Sequence, residues 1–236
     1  AKYIVLPAKQ LWSLEPLKDR YSGADLFKLG SLCEPCSVGY HAVIQRGGGI
    51  RPGDTVAILG GGPIGLAACA ELMRQGAAKV VLSEPAPERV AVAKKLGVEH
   101  IINPLKESFS ERLLELTHGM GATLYLEATG LPTVVYPEIE KAIWEGRTLN
   151  ATVVVVARAD AKMPVTGEVL QVRMARIVGT QGHSGHGNFP RVIQSMANGM
   201  DMRPLITKEV NLEQVPDYIV QLRTDKKETK VTCIMK

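Results

Sequence analysis

A doubly wound α/β fold, with helices on both faces of a six-stranded parallel sheet, is the class this sequence predicts. Two observations predict it. The first is a local order of residues. The apolar run Thr55–Leu59 leads into Gly60, Gly62 and Gly65, spaced Gly-x-Gly-x-x-Gly; a helical pattern follows, and then a second apolar run, Val80–Ser83, closed by Glu84. The second is the alternation continuing from there. Strand patterns over 55–60, 79–84, 99–102, 123–127, 150–156 and 176–180 are interleaved with helical patterns over 63–76, 87–96, 108–118, 133–145, 167–174 and 188–199. Strands separated by helices mark a parallel sheet, and six of them complete both halves of a doubly wound domain.

Each element has a local reason. Thr55–Leu59 is an unbroken apolar run bounded by turn residues, the pattern of a strand buried on both faces, and Arg51-Pro-Gly-Asp54 is the turn that launches it. Gly60 permits a tight turn, Gly62 lets backbone approach a pyrophosphate, and Gly65 lets the helix pack close to the strand. Pro63 and Ile64 open that helix, whose free N–H groups and positive dipole end suit a diphosphate. Glu84 falls at the distance, about 20 residues past the glycines, expected of an acid that binds the adenosine ribose. Such an acid accepts from both ribose hydroxyls and repels a 2′-phosphate, so NAD is expected over NADP, with Arg89 beside it. A glycine triplet alone would be an ordinary turn; the strand, helix, second strand and acid make it a dinucleotide site.

Outside the alternation, Tyr3–Pro7 reads as a strand and the stretch through Pro16 and Gly23 as a turn-rich connection. Ser37–Ile44 reads as a helix ended by Gly47-Gly-Gly49. Strands are expected at 208–210 and 230–234, with a helix over 212–222 between them. The sixth strand, 176–180, is apolar, and nothing after it looks able to pair with its outer side. An open edge of that kind is usually covered, here by a second copy of the chain.

Composition narrows the function. Of the 236 residues, 45% are apolar and 5% aromatic, which suits a core of small aliphatic side chains. The net charge of +4 is spread out with no Lys/Arg block, so no nucleic-acid partner is expected. The apolar stretch 56–70 is broken by glycines and a proline and too short to cross a bilayer, and 1–7 is too short for a signal peptide. Cys33, Cys36, Cys69 and Cys233 form no disulfide framework, and a cytoplasmic protein is expected.

Several motifs carry a family likeness. Glu34-Pro35, Gly53-Asp-Thr-Val56, Gly60-Gly-Gly-Pro-Ile-Gly65, Lys94-Lys-Leu-Gly97 and Glu127-Ala-Thr-Gly130 together resemble the polyol branch of the zinc-dependent medium-chain dehydrogenase/reductase family. The resemblance runs through essentially the whole chain. Ala157-Arg-Ala-Asp-Ala161 and Gly182-His-Ser-Gly-His-Gly187 are most similar to members that act on a cyclic polyol or an inosose. The resemblance implies a Rossmann domain over 37–200, including its linking helix. It implies that 1–36 and 201–236 are flanking remnants of a GroES-like catalytic domain. It further implies oxidation of a secondary alcohol to a ketone, a small polyol substrate, NAD and zinc as cofactors, and a homo-oligomer, dimer or tetramer.

The resemblance also assigns residues. Thr129 and Val156 end strands at the edge where family backbone groups hold the nicotinamide carboxamide, and Gln181 follows the sixth strand there. Glu34 would sit beside the catalytic zinc; its alternative is a carboxylate at a helix start. Cys33 and Cys36 form Cys-x-x-Cys, but a structural zinc site needs a second pair, so they read as core residues heading a helix. His183 and His186 either contact substrate or cofactor or order a loop. The family's Cys and His-Glu zinc ligands have no counterpart here, so no catalytic side chain is assigned. The chain by itself is expected to bind NAD without holding zinc or turning over alcohol; the alternative is a stand-alone nucleotide-binding module.

Overall fold

Six parallel strands in the order β3-β2-β1-β4-β5-β6 form the sheet of this computed structural model, which describes residues 4–183, 187–225 and 227–235. They are β1 (Thr55–Leu59), β2 (Lys79–Ser83), β3 (His100–Ile102), β4 (Leu124–Glu127), β5 (Thr152–Val155) and β6 (Arg176–Gly179). The reversal of strand order lies at β1, whose Val56 pairs with Val80 of β2 on one side and Leu124 of β4 on the other. All six strands, the five helices between them and the helix after β6 that the sequence predicts are present, with ends shifted by a few residues. The helices are α2 (Pro63–Arg74), α3 (Pro87–Lys95), α4 (Phe109–Leu116), α5 (Pro132–Glu145), α6 (Gly167–Arg173) and α7 (Asn188–Ala197).

Strand alternation divides the core. Val56 and Ile58 face one layer, built with Leu66 and Leu72 of α2, Val92 of α3 and Ile193 and Met196 of α7. Ala57 and Leu59 face the other, with Phe109 and Leu113 of α4, Ile139 and Ile143 of α5 and Val169 of α6.

The region before β1 corrects three expectations. The helix expected over Ser37–Ile44 begins far earlier: α1 spans Gly23–Tyr40 and continues as a π-helix, His41–Arg46. Pro35 lies inside α1 without ending it, and its neighbours Leu29, Leu32, Cys33 and Cys36 are buried in the core cluster that α1 shares with α2 and α7. Glu34 therefore is not a helix-start carboxylate but an exposed residue in the second half of α1, and Cys33 and Cys36 do not head a helix. The strand expected at Tyr3–Pro7 is absent over its described part, 4–7, where Ile4 and Val5 are 79% and 97% exposed; Tyr3 itself lies outside the described residues.

After α7 the chain forms β7 (Ile206–Val210), α8 (Val215–Gln221) and β8 (Lys230–Cys233), and β7 and β8 pair in parallel as a separate two-stranded sheet. Lys28 of α1 bonds Glu209 of β7 at 2.6 Å, and Arg203 bridges Asp25 and Asp201, so this segment rests on the first half of α1. No helix among the described residues is long and apolar enough to cross a membrane.

Candidate dinucleotide-binding site

The glycine turn sits at the carboxyl end of β1, beside the reversal of strand order, where open α/β sheets form their ligand crevice. Gly60 adopts φ +106°, a left-handed conformation that disfavours side chains, and its N–H donates to the Ser83 carbonyl at 2.9 Å. Gly65 has no room for a side chain: a Cβ there would lie 1.9 Å from the Gly60 carbonyl oxygen. Gly62 is the opposite case. It stands at the N-cap of α2 with no side-chain cap, and a Cβ on it would meet nothing within 4 Å. Pro63 and Ile64 follow as the first helical residues, leaving an uncapped helix start facing open space. That is the cradle an anionic diphosphate needs.

Glu84 is 3% exposed at the carboxyl end of β2. Its Oε2 accepts from the Gly61 N–H at 2.7 Å and its Oε1 from the Ala86 N–H at 2.8 Å. Arg89 Nη1 lies 3.8 Å from Oε2. Gly61, Glu84 and Arg89 thus form one unit, and the acid lies against the glycine turn. Across the crevice, a Cβ on Gly60 would meet the Ala128 carbonyl at 2.8 Å and the Thr129 methyl at 3.2 Å, so Thr129 also borders the turn. Val156 is half-buried beyond the end of β5, its N–H donating to the Glu127 carbonyl at 3.0 Å. Gln181 is exposed after β6.

Glu127 borders the crevice, and the sequence motif quoted it without a role. It is 1% exposed, and its Oε1 takes three donors: the Thr129 N–H at 2.8 Å, the Thr129 hydroxyl at 2.6 Å and the Gly130 N–H at 2.9 Å. The carboxylate fixes the turn after β4. A carboxylate two and three residues ahead of a Thr-Gly turn was the available signal. A second feature was missed altogether: a cleft of about 430 Å³ lined by Leu59, Ser83, Pro104, Val134, Val135 and Glu138, next to the first glycine and to Glu84. Asn103-Pro104, a turn pair following a strand at this same edge, could have marked it.

Other candidates stand apart. The Glu34 side chain makes no hydrogen bond or ion pair among the described residues. No three His, Cys, Asp or Glu side chains converge on a metal position among the described residues. Burial pushes the Cys33 thiol up to about 11 and the Cys36 thiol well above its ordinary value, which keeps both as neutral core groups rather than thiolate ligands. The glycine turn and Glu84 fit a dinucleotide, and among the described residues none assemble a zinc site. The His183 ring meets Phe189 edge-on at 4.7 Å, and Phe189 stacks on Trp12 at 4.4 Å; His186 lies outside the described residues.

Comparison with known proteins agrees with this geometry. The zinc-binding dehydrogenase family model matches residues 63–198. The chain belongs to that family. It is 60% identical over 234 residues to the scyllo-inosose 3-dehydrogenase of Thermotoga maritima, a match covering 99% of this chain and 59% of that protein. A solved structure of a candidate alcohol dehydrogenase from Thermotoga maritima superposes with a TM-score of 0.92 at 61% identity, covering 94% of this chain and 56% of that one. The sorbitol dehydrogenase of Bacillus subtilis is 29% identical over 192 residues, 81% of this chain and 52% of that protein. The chain thus spans a little over half the length of these relatives. The doubly wound Rossmann sheet expected from the sequence is the fold they share.

Proposed function

We propose that this chain is the cofactor-binding part of an NAD-dependent alcohol dehydrogenase that oxidises a secondary alcohol of a polyol to a ketone. The observation that carries the reading is Glu84, buried against the Gly61 N–H beside an uncapped helix start. The diphosphate would lie over Gly62 and the first turn of α2, and the adenosine ribose hydroxyls would reach Glu84. The adenine would enter the cleft that opens past Leu59 and Ser83. Thr129 and Val156, at the ends of β4 and β5, stand where the nicotinamide end of an extended dinucleotide would pass. Bound nicotinamide supplies the hydride acceptor; the chain's own residues bind and orient it.

A cyclic polyol or inosose is the substrate class we favour, supported by the identity to scyllo-inosose 3-dehydrogenase. We assign 37–200 as the cofactor domain, with 1–36 and 201–236 belonging to a catalytic domain. Zinc would take its main ligands outside these residues, with Glu34 nearest to it. Association through β6 is part of the proposal: among the described residues that strand pairs with β5 alone and ends the sheet. A cytoplasmic setting accords with four free cysteines, three of them buried.

The test is titration of NAD and NADP into the chain and into Glu84→Ala. The unsubstituted chain should prefer NAD, and the variant should lose that preference. Equal affinity of the unsubstituted chain for both would overturn the assignment of Glu84.

A further inference from the structure

We propose that Glu138 selects the base of the dinucleotide, accepting a hydrogen bond from the 6-amino group of an adenine seated in the cleft. The inference rests on the NAD reading above and adds a contact to it. Glu138 lies on α5, half-buried, and lines the cleft together with the apolar Leu59, Pro104 and Val134. Those apolar groups offer a planar base contact area but no choice among purines. Choice needs a fixed polar group, and the cleft holds few. Lys106 and Glu107 line it too, but both are exposed, so neither is held in one place.

Glu138 is held. Its Oε2 accepts from the Ser110 N–H at 2.8 Å, the Ser108 hydroxyl at 2.9 Å and the Ser110 hydroxyl at 3.0 Å. Ser108 is the N-cap of α4, so the acid also ties α5 to the start of the helix that walls the cleft. Capping α4 accounts for one oxygen. Oε1 accepts no hydrogen bond among the described residues, and in the proposal it is this atom of the held side chain, on a residue that lines the cleft, that meets the base. The donors on Oε2, aided by the charge of Lys141, hold the carboxyl below its ordinary range, so the group is an ionised acceptor at neutral pH. An amino group at the purine 6-position donates to such an atom; a 6-oxo group turns its own lone pairs toward it and is opposed.

The substitution Glu138→Gln gives a directional test. The Ser110 N–H is an obligate donor, so the amide oxygen must stay on it, and the amide –NH2 then takes the place of Oε1. The group in the cleft changes from acceptor to donor while the tie to α4 is kept. The experiment is calorimetric titration of the whole chain with NAD and with nicotinamide hypoxanthine dinucleotide, for the parent and for Glu138→Gln, with thermal melts alongside. The parent should favour NAD by about tenfold, the scale of one hydrogen bond to a charged group. Glu138→Gln should bring the two dinucleotides to parity or reverse their order, with NADP discrimination unchanged. A purely capping role would lower the melting temperature and leave the base preference intact, which overturns the proposal. Equal binding of both dinucleotides by the parent overturns it while leaving the NAD reading standing. Failure of the parent to bind either dinucleotide overturns both.

Discussion

The two helical layers of the sheet each enclose a glutamate, and they treat it in opposite ways. In the layer of α1, α2, α3 and α7, Glu71 is 2% exposed. It receives one donor, the Ser195 hydroxyl at 3.3 Å, while its Oε1 has no partner among the described residues. In the layer of α4, α5 and α6, Glu138 receives three donors on one oxygen. Burial pushes the Glu71 carboxyl up to about 7, whereas the donors overcome the burial of Glu138 and pull it down. The residue type does not set the charge; the depth of burial and the donors within reach set it together.

That contrast is sharpest in its dependence on pH. For Glu71 the folded value is raised, so its contribution to stability is complete below the ordinary carboxyl range and is lost as pH rises through about 7. Glu71→Gln, which cannot ionise, should make the protein more stable at pH 8 by about 2–3 kcal/mol and change little at pH 4. Melts at both pH values check it, and equal shifts at the two would break the comparison. Glu138 runs the other way: its contribution is present above the ordinary carboxylate range and lost as pH falls through its lowered folded value. Glu138→Ala should cost about 2 kcal/mol at pH 7, since it strands the Ser110 N–H, and less at pH 3. Denaturant titration at the two pH values measures the difference. The smallest effect belongs to Lys141, whose pair with Glu111 at 2.8 Å joins two side chains open to water. Lys141→Ala should leave the melting temperature where it is; a clear drop would show that charge near Glu138, and not its donors, sets that layer apart.

The same contrast explains what was legible beforehand. Helical periodicity tells which face of α2 or α5 turns inward, but not that Ser195 of α7 or Ser110 of α4 will stand opposite a particular glutamate. The strand–glycine–helix–strand unit was readable because all its parts are local: Gly60, Gly65 and Glu84 have roles fixed by neighbours in one βαβ segment. The cleft beside it was not, because Leu59, Pro104 and Val134 come from three separate segments that only the sheet brings together. The region before β1 misled for a different reason. Gly30 and Pro35 inside α1 weigh locally against a helix, and the expected helix starts only after them, at Ser37. A Cβ on Gly39 would come within 3.0 Å of the Ile64 carbonyl and 3.1 Å of the Ala67 side chain. Glycine there permits a close helix crossing, a cause that no local propensity reveals.

That crossing bears on how the protein comes to be folded. Helix α1 packs against α2 and also against α7, which lies more than a hundred residues later in the chain. The unit β1-α2-β2-α3-β3 can assemble as soon as it is made, because its contacts are close in sequence. The side of α1 that carries Gly30 and Cys33, which line a groove with Phe189 and Ile193 of α7, finds its full complement only when α7 has arrived. Until then an apolar stripe waits in water, and a chain paused at that stage is the one most prone to aggregate.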